Sequence, residues 1–147
     1  TDRFVARIAV ELRKRGLEAA DRIIFLPYMT HGAYLRLNRL CDVMLDTVHW
    51  SGGNTSLDAL AGGLPVITLP GELMRGRQSM GMLKMLGVPE LVASDAQDYV
   101  RRAVELAGDP GRRAAVSSAI LANLGRLFDR EEPVQAFNDF LEKAARL

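Results

Sequence analysis

The sequence predicts an α/β fold in which a parallel sheet is flanked by helices and the C-terminal third is helical. Three observations carry this. Short apolar runs rich in β-branched residues (Ile23–Pro27, Val43–Leu45, Pro65–Pro70) alternate with segments of helical spacing. Prolines and paired glycines punctuate the runs, as they do strand and helix ends. Beyond residue 76 the apolar residues recur almost entirely at three- and four-residue intervals. Strands separated by helices form parallel sheets with helices on their faces, and such sheets bind ligands at the strands' carboxyl ends.

The elements follow in order. Phe4, Ile8 and Leu12 predict an opening helix that ends with Arg13, Lys14 and Arg15 before Gly16. Asp21-Arg22 lead into a strand at about 22–27. Tyr34, Leu37, Leu40 and Cys41 return to helical spacing, with Cys41 on the apolar, buried face. A strand at 43–46 runs into the loop 47–54, which carries His49, Trp50, Gly52 and Gly53. Leu57, Leu60 and Ala61 mark a short helix closed by Gly62-Gly63, and 65–69 is a third strand. A helix containing Met80, Met82, Leu83 and Leu86 stops at Gly87-Val88-Pro89, and Leu91–Ala93 adds a brief strand. Asp95 caps a helix with Tyr99, Val100, Ala103 and Ala107 inward. Asp109-Pro110 opens the next, carrying Val116, Ile120 and Leu124. A last helix from Pro133 is expected to bury Val134, Phe137, Leu141 and Ala144.

Composition narrows the class. The chain has 147 residues, 48% apolar and 25% charged, which suits one folded domain over 1–147: an α/β core to residue 110, then closing helices. Nineteen Lys and Arg balance eighteen Asp and Glu, so there is no general attraction to nucleic acid or to an anionic membrane. One cysteine excludes an internal disulfide or a cysteine-based metal cluster and fits a reducing compartment. No apolar run approaches the ~20 residues that span a bilayer. The first residue is Thr, and the chain reads as cut from a longer parent.

The chemistry gathers in Trp50-Ser51-Gly52-Gly53-Asn54-Thr55-Ser56-Leu57-Asp58, a glycine-rich turn between a strand end and a helix start. Glycines let backbone N–H groups approach an anion, and a helix N-terminus supplies unpaired donors with the positive end of its dipole. Asn54, Thr55 and Ser56 add side-chain donors, and Asp58 can accept from a sugar diol. The same residues also fit a capping box, with Thr55 as N-cap and Asp58 three residues on, which needs no ligand. There is neither a Walker P-loop nor a complete Gly-x-Gly-x-x-Gly pattern. His31 falls at the same sheet edge, as a donor to phosphate or diol or as plain surface. Trp50 either stacks on a base or anchors the loop, and Arg75 and Arg77 pair with a phosphate or with a nearby acid. No histidine pair has metal-ligand spacing.

Taken as strings, RIIFLPYM, DVMLDTVHWSGGNTSLDALAGGLPVITLPGE and LGVPELVASDAQDYVRRAVELAGDP resemble the C-terminal catalytic region of the O-linked N-acetylglucosamine transferase and SPINDLY family, over about residues 22–110. The resemblance is carried by Leu45-Asp46-Thr47, the turn leading to Asp58, the block from Gly63 to Glu72, and Leu86-Gly87 before Glu90-Leu91.

The resemblance implies a GT-B fold, two Rossmann-like lobes around a cleft, with this chain the distal part of the C-terminal, nucleotide-holding lobe. It implies a metal-independent, cytoplasmic glycosyltransferase, often preceded by tetratricopeptide repeats, that moves a sugar from a UDP-sugar to Ser or Thr of proteins. N-acetylglucosamine is the usual sugar, and some members use fucose from a GDP donor. By family pattern Gly52, Gly53, Asn54 and Thr55 cradle the diphosphate and Asp58 holds the ribose. His31 falls where the transferase has a lysine near the base, and Tyr34 where it has a histidine. The family's Gly-His-Thr-Thr-x-x-Asp reads Gly52-Gly53-Asn54-Thr55-Ser56-Leu57-Asp58 here, which opens the alternative of a degenerate, non-catalytic lobe that mediates protein contacts. A sugar-nucleotide epimerase is a third reading. The leaving-group lysine and the acceptor lobe would lie upstream of Thr1, so no catalytic residue is expected in this chain. With upstream strands missing, an exposed sheet edge is expected, covered by the upstream lobe or by a second copy in a homo-oligomer.

Overall fold

The computed structural model describes residues 2–19 and 22–145. It divides into two compact units, residues 1–30 and 31–147. Within the first, α1 (Asp2–Arg13) forms where the periodicity places it. It unwinds through Gly16, whose φ of +71° is the left-handed turn that commonly ends a helix. Lys14 Nζ donates to Glu11 Oε1 at 2.7 Å across the exposed last turn.

The strand expected at about 22–27 does not form. Asp21 lies outside the described residues, residues 23–30 carry no regular structure, and Ile24 is 85% exposed. A strand is defined by ladder hydrogen bonds, and among the described residues no neighbouring strand pairs with this run. Its β-branched composition is a preference that needs a partner to become structure.

The second unit holds the sheet. α2 (His31–Asn38) leads to β1 (Met44–Leu45), α3 (Asn54–Ala61) and β2 (Val66–Ile67). β1 and β2 are parallel, Met44 opposite Val66 and Leu45 opposite Ile67. Met44 N donates to Pro65 O at 2.8 Å and Asp46 N to Ile67 O at 2.9 Å. A parallel bridge from Thr68 to Val92 adds one further position, so the brief strand expected at Leu91–Ala93 contributes a single rung. β1 is the sheet edge, and Leu45 there is 54% exposed.

The core lies beneath α3 and α4 (Gln78–Leu86), with Leu60, Val66, Ile67, Leu83 and Leu86 fully buried. Each buried aliphatic side chain contributes roughly 1.5–3 kcal/mol, so these five outweigh any surface ion pair below. Gly87 ends α4 at φ +74° and lets Val88 N turn back to Leu83 O at 3.0 Å.

α5 (Ala96–Gly108) and α6 (Pro110–Ala122) are capped as expected: Asp95 accepts from Asp98 N and Asp109 from Arg112 N. The inward face of α5 is Tyr99, Ala103 and Leu106, while Val100 and Ala107 point outward, because the buried stripe follows a seven-residue repeat from Tyr99. Val116 and Ile120 of α6 are buried as expected.

Two further expectations fail. Cys41 is exposed, because α2 stops at Asn38 and the thiol sits in the connection to β1. α7 (Glu132–Ala145) forms, but Val134, Phe137, Phe140 and Leu141 are all at least 47% exposed. Its apolar stripe is real, yet its side chains stay exposed, and helical spacing alone cannot tell an apolar face that is covered from one that is not.

The first turn of α5 carries an acid-sensitive cluster. Ser94 N, Arg102 Nε and Arg101 donate to the Asp98 carboxylate, the first two at 3.0 and 2.7 Å. The Ser94 N–H, Arg102 and Arg101 hold that carboxyl well below the usual range. A depressed folded-state value contributes stability that is present above the unfolded value of about 3.9 and lost as pH falls below it. Asp98→Asn is therefore expected to flatten the loss of stability as pH falls below about 4, read by thermal melts from about pH 5 downward.

Candidate functional site

The turn at the carboxyl end of β1 is organised by a residue that composition alone does not single out. Asp46 is 3% exposed, and its carboxylate takes four hydrogen bonds. Oδ1 accepts from Thr47 N at 3.0 Å and Gly52 N at 2.7 Å, while Oδ2 accepts from Ser51 Oγ at 2.8 Å and Thr68 Oγ1 at 2.7 Å. Tyr99 OH donates to the Asp46 carbonyl at 2.8 Å, and burial together with the nearby Asp46 charge pushes that phenol upward. A buried carboxylate needs such saturation, since an unpaired one is costly.

From Asp46 a line of buried hydroxyls crosses to both following helices. Ser51 Oγ lies 2.9 Å from Ser79 Oγ, which lies 2.8 Å from Ser56 Oγ, and Ser79 N donates to Ser51 Oγ at 2.9 Å. The carboxylate can only accept, so Ser51 directs its proton to Asp46 and receives from Ser79. The first turns of α3 and α4 are thereby tied to one another beneath the Gly52-Gly53 turn.

Each predicted site residue can now be placed. Gly52 is required by space: a Cβ there would come within 2.4 Å of Ser56 Oγ and 2.7 Å of Thr55 Oγ1. Its N–H points inward to Asp46, so the outward donors belong to the residues after it. Gly53 is the N-cap of α3, with no side-chain cap. Asn54 and Thr55, both exposed, form the first turn, where the leading N–H groups have no partner within the helix. The capping-box reading is thus overturned: Thr55 lies inside the helix, and Asp58 turns away from its start. Asp58 Oδ2 lies 2.9 Å from His31 Nε2, joining α3 to the first residue of α2. Asp58 and His31 are therefore in contact, with Thr55 about one turn earlier on α3. α4 also begins without a side-chain cap, and Gln78 Oε1 would stand 3.0 Å from a Cβ on Gly53.

The loop beside the turn is shaped by its backbone. Thr47 Oγ1 donates to Trp50 O, and Ser51 N donates to Arg75 O at 2.8 Å. Trp50 is 67% exposed, so it does not anchor the loop in the core. The Arg75 guanidinium lies over its ring, 5.8 Å from the centroid. Arg77 and His49 are exposed. Sequence reasoning missed the network of Asp46, Ser51, Ser56 and Ser79. Its one available signal was an acid directly at a predicted strand end, with serines spaced around the glycines. Among the described residues, no group of three or more His, Cys, Asp or Glu side chains could hold a metal ion. No described helix is long and apolar enough to cross a membrane.

A parallel sheet with flanking helices and a glycine-rich turn at its carboxyl edge defines a partial Rossmann-like lobe of the GT-B glycosyltransferase type. The solved structure of an O-GlcNAc transferase mutant from Thermobaculum terrenum superposes with a TM-score of 0.79 at 32% identity, covering 97% of this chain and 27% of that one. A sequence profile described as Glycosyl transferase family 41 matches residues 4–133, and the chain belongs to that family. Relatives include the UDP-N-acetylglucosamine--peptide N-acetylglucosaminyltransferase of Caenorhabditis elegans, 35% identical over 87% of this chain. A probable SPINDLY transferase of Eustoma exaltatum subsp. russellianum is 34% identical over 67%. The chain spans 11% of the length of each of these two relatives.

Proposed function

We propose that the protein transfers a sugar, N-acetylglucosamine by preference, from a UDP-sugar to Ser or Thr of proteins, and that this chain supplies the nucleotide-holding side of the cleft. The observation that supports this reading is the meeting of His31 and Asp58 beside the uncapped first turn of α3. In this reading the N–H groups of Gly53, Asn54 and Thr55 face the diphosphate, where the dipole of α3 favours negative charge. Asp58 keeps Oδ1 for the ribose hydroxyls while Oδ2 holds His31. Gly52 contributes the space that lets the turn close. The chemistry is substitution at the anomeric carbon with charge developing on the departing diphosphate, which fixed donors stabilise without reorganising. No metal is needed for that role.

Residues 1–147 would form one part of a cytoplasmic enzyme's donor lobe. The acceptor lobe and the leaving-group lysine would come from elsewhere in the protein, so this chain alone transfers no sugar. A calorimetric titration with UDP, GDP, uridine and UDP-N-acetylglucosamine tests the reading. UDP is expected to bind at least tenfold more tightly than uridine, because the cradle recognises phosphates, and more tightly than GDP. Equal affinity for UDP and uridine would remove the cradle. No binding of either nucleotide would favour a degenerate lobe, a reading prompted by Gly53, which stands where the family pattern has histidine.

A further inference from the structure

Gln78, the first residue of α4, faces the start of α3. Its Oε1 lies 3.0 Å from the point where a Cβ on Gly53 would stand, tighter than side chains ordinarily pack. The carboxamide and a side chain at position 53 would thus compete for one space, and Gly53 leaves that space to the carboxamide. The placement is fixed from below. Ser79, the next residue, donates through its N–H to Ser51 Oγ at 2.9 Å, and its hydroxyl lies 2.8 Å from Ser56 Oγ of α3. All three serines are fully buried, so the first turn of α4 cannot leave that of α3 without stranding buried hydroxyls.

The carboxamide itself has no such ties. Gln78 is half-buried, and among the described residues no group hydrogen-bonds to its side chain. Its backbone and its contact with Gly53 hold it, and both amide hydrogens are left to donate. It stands beside the start of α3, where Gly53, Asn54 and Thr55 present N–H groups with no partner inside the helix. A side-chain donor from α4 added to backbone donors from α3 suits an oxyanion reached from two sides. Gly53 also stands where the family pattern has histidine, the change that prompts the degenerate reading. The geometry gives that change a second meaning, because the space of the missing side chain is not empty: it holds another polar group that can donate.

We propose that Gln78 binds the diphosphate, its amide donating from α4 to a phosphate oxygen that the first turn of α3 holds from the other side, in the place a side chain at 53 would take. This rests on the nucleotide reading above and adds to it a contact from a second helix. Calorimetry with UDP and with uridine tests it on the unaltered protein, Gln78→Met and Gln78→Glu, with thermal melts to establish that each variant folds. Gln78→Met keeps the length of the side chain and removes its polar atoms. It is expected to weaken UDP about tenfold, the loss typical of one hydrogen bond to a charged group, and to leave uridine within about twofold. Gln78→Glu can only accept and carries a charge, so it should weaken UDP further and again spare uridine. If Gln78→Met does not fold, Gln78→Ala takes its place. A side chain that only packs against Gly53 is replaced by methionine without loss, so unchanged UDP affinity in Gln78→Met overturns the proposal. Equal losses for UDP and uridine also overturn it, since they mark a general disturbance of the turn. Gly53→His is the reciprocal variant: it forces the carboxamide aside and should weaken UDP, and adding Gln78→Ala should recover part of that loss. Losses that simply add in the pair overturn the shared space. UDP bound no more tightly than uridine by the unaltered protein defeats the nucleotide reading and this proposal together. A preference for UDP that survives intact in Gln78→Met defeats this proposal alone.

Discussion

Asp46→Ala is expected to destabilise the protein by about 3–5 kcal/mol, the largest loss of any single polar substitution in the second unit. Among the described residues the carboxylate is the acceptor for Gly52 N and the Thr68 hydroxyl, and it takes the Ser51 proton at the head of the Ser51–Ser79–Ser56 line. Removing it leaves several buried donors without a partner at roughly 1–3 kcal/mol each, offset in part because hydroxyls can rotate and a water can enter the space left behind. Asp46→Asn separates charge from shape. Its amide oxygen can still accept from Thr47 N and Gly52 N, while its nitrogen must donate toward Ser51 and Thr68, reversing the proton order along the serines. A loss of about 1–2 kcal/mol is expected for that variant. Denaturant melts of both variants provide the measurement, and a loss below about 1 kcal/mol for Asp46→Ala would show that the turn does not depend on this carboxylate.

The dependence on Asp46 explains what could be read from the chain in advance and what could not. β1, α3, β2 and the caps of α5 and α6 were legible because local chemistry decides them: β-branched runs, paired glycines and Asp-Pro are each sufficient in context. His31 lies 2.9 Å from Asp58, although the strand at about 22–27 that was to carry His31 to the sheet edge does not form. The run Ile23–Leu26 and the burial of α7 were misjudged for one shared reason. Both depend on a partner surface, and a sequence pattern records the preference for burial without recording whether anything supplies it. The serine network was hidden because it joins residues up to 28 positions apart, and isolated serines carry no periodic signal. Val100 failed on a smaller scale, since α5 presents one narrow stripe and neighbouring apolar positions fall outside it.

Asp58→Ala in the intact protein is expected to weaken UDP binding by roughly 1.5–3 kcal/mol, or about 10- to 150-fold, through loss of a charge-assisted acceptor for the ribose diol. The structure sharpens this because it separates binding from folding. Asp58 takes no part in capping α3, and its carboxylate pairs with His31, whose side chain is 68% exposed. An exposed pair of that kind contributes little, so the melting transition should move by no more than about 0.5 kcal/mol. His31→Ala should leave Asp58 free to accept from the ribose, and so cost less affinity than Asp58→Ala does. A 2′,3′-dideoxy nucleotide provides the internal control: it lacks the hydroxyls, so the wild-type protein and Asp58→Ala should bind it equally. Calorimetry on the two nucleotides and the two proteins gives a closed cycle whose interaction energy belongs to the diol contact alone. If Asp58→Ala instead lowers stability by about 1 kcal/mol and leaves both affinities unchanged, then the His31–Asp58 pair is a strut between α2 and α3 and the ribose lies elsewhere.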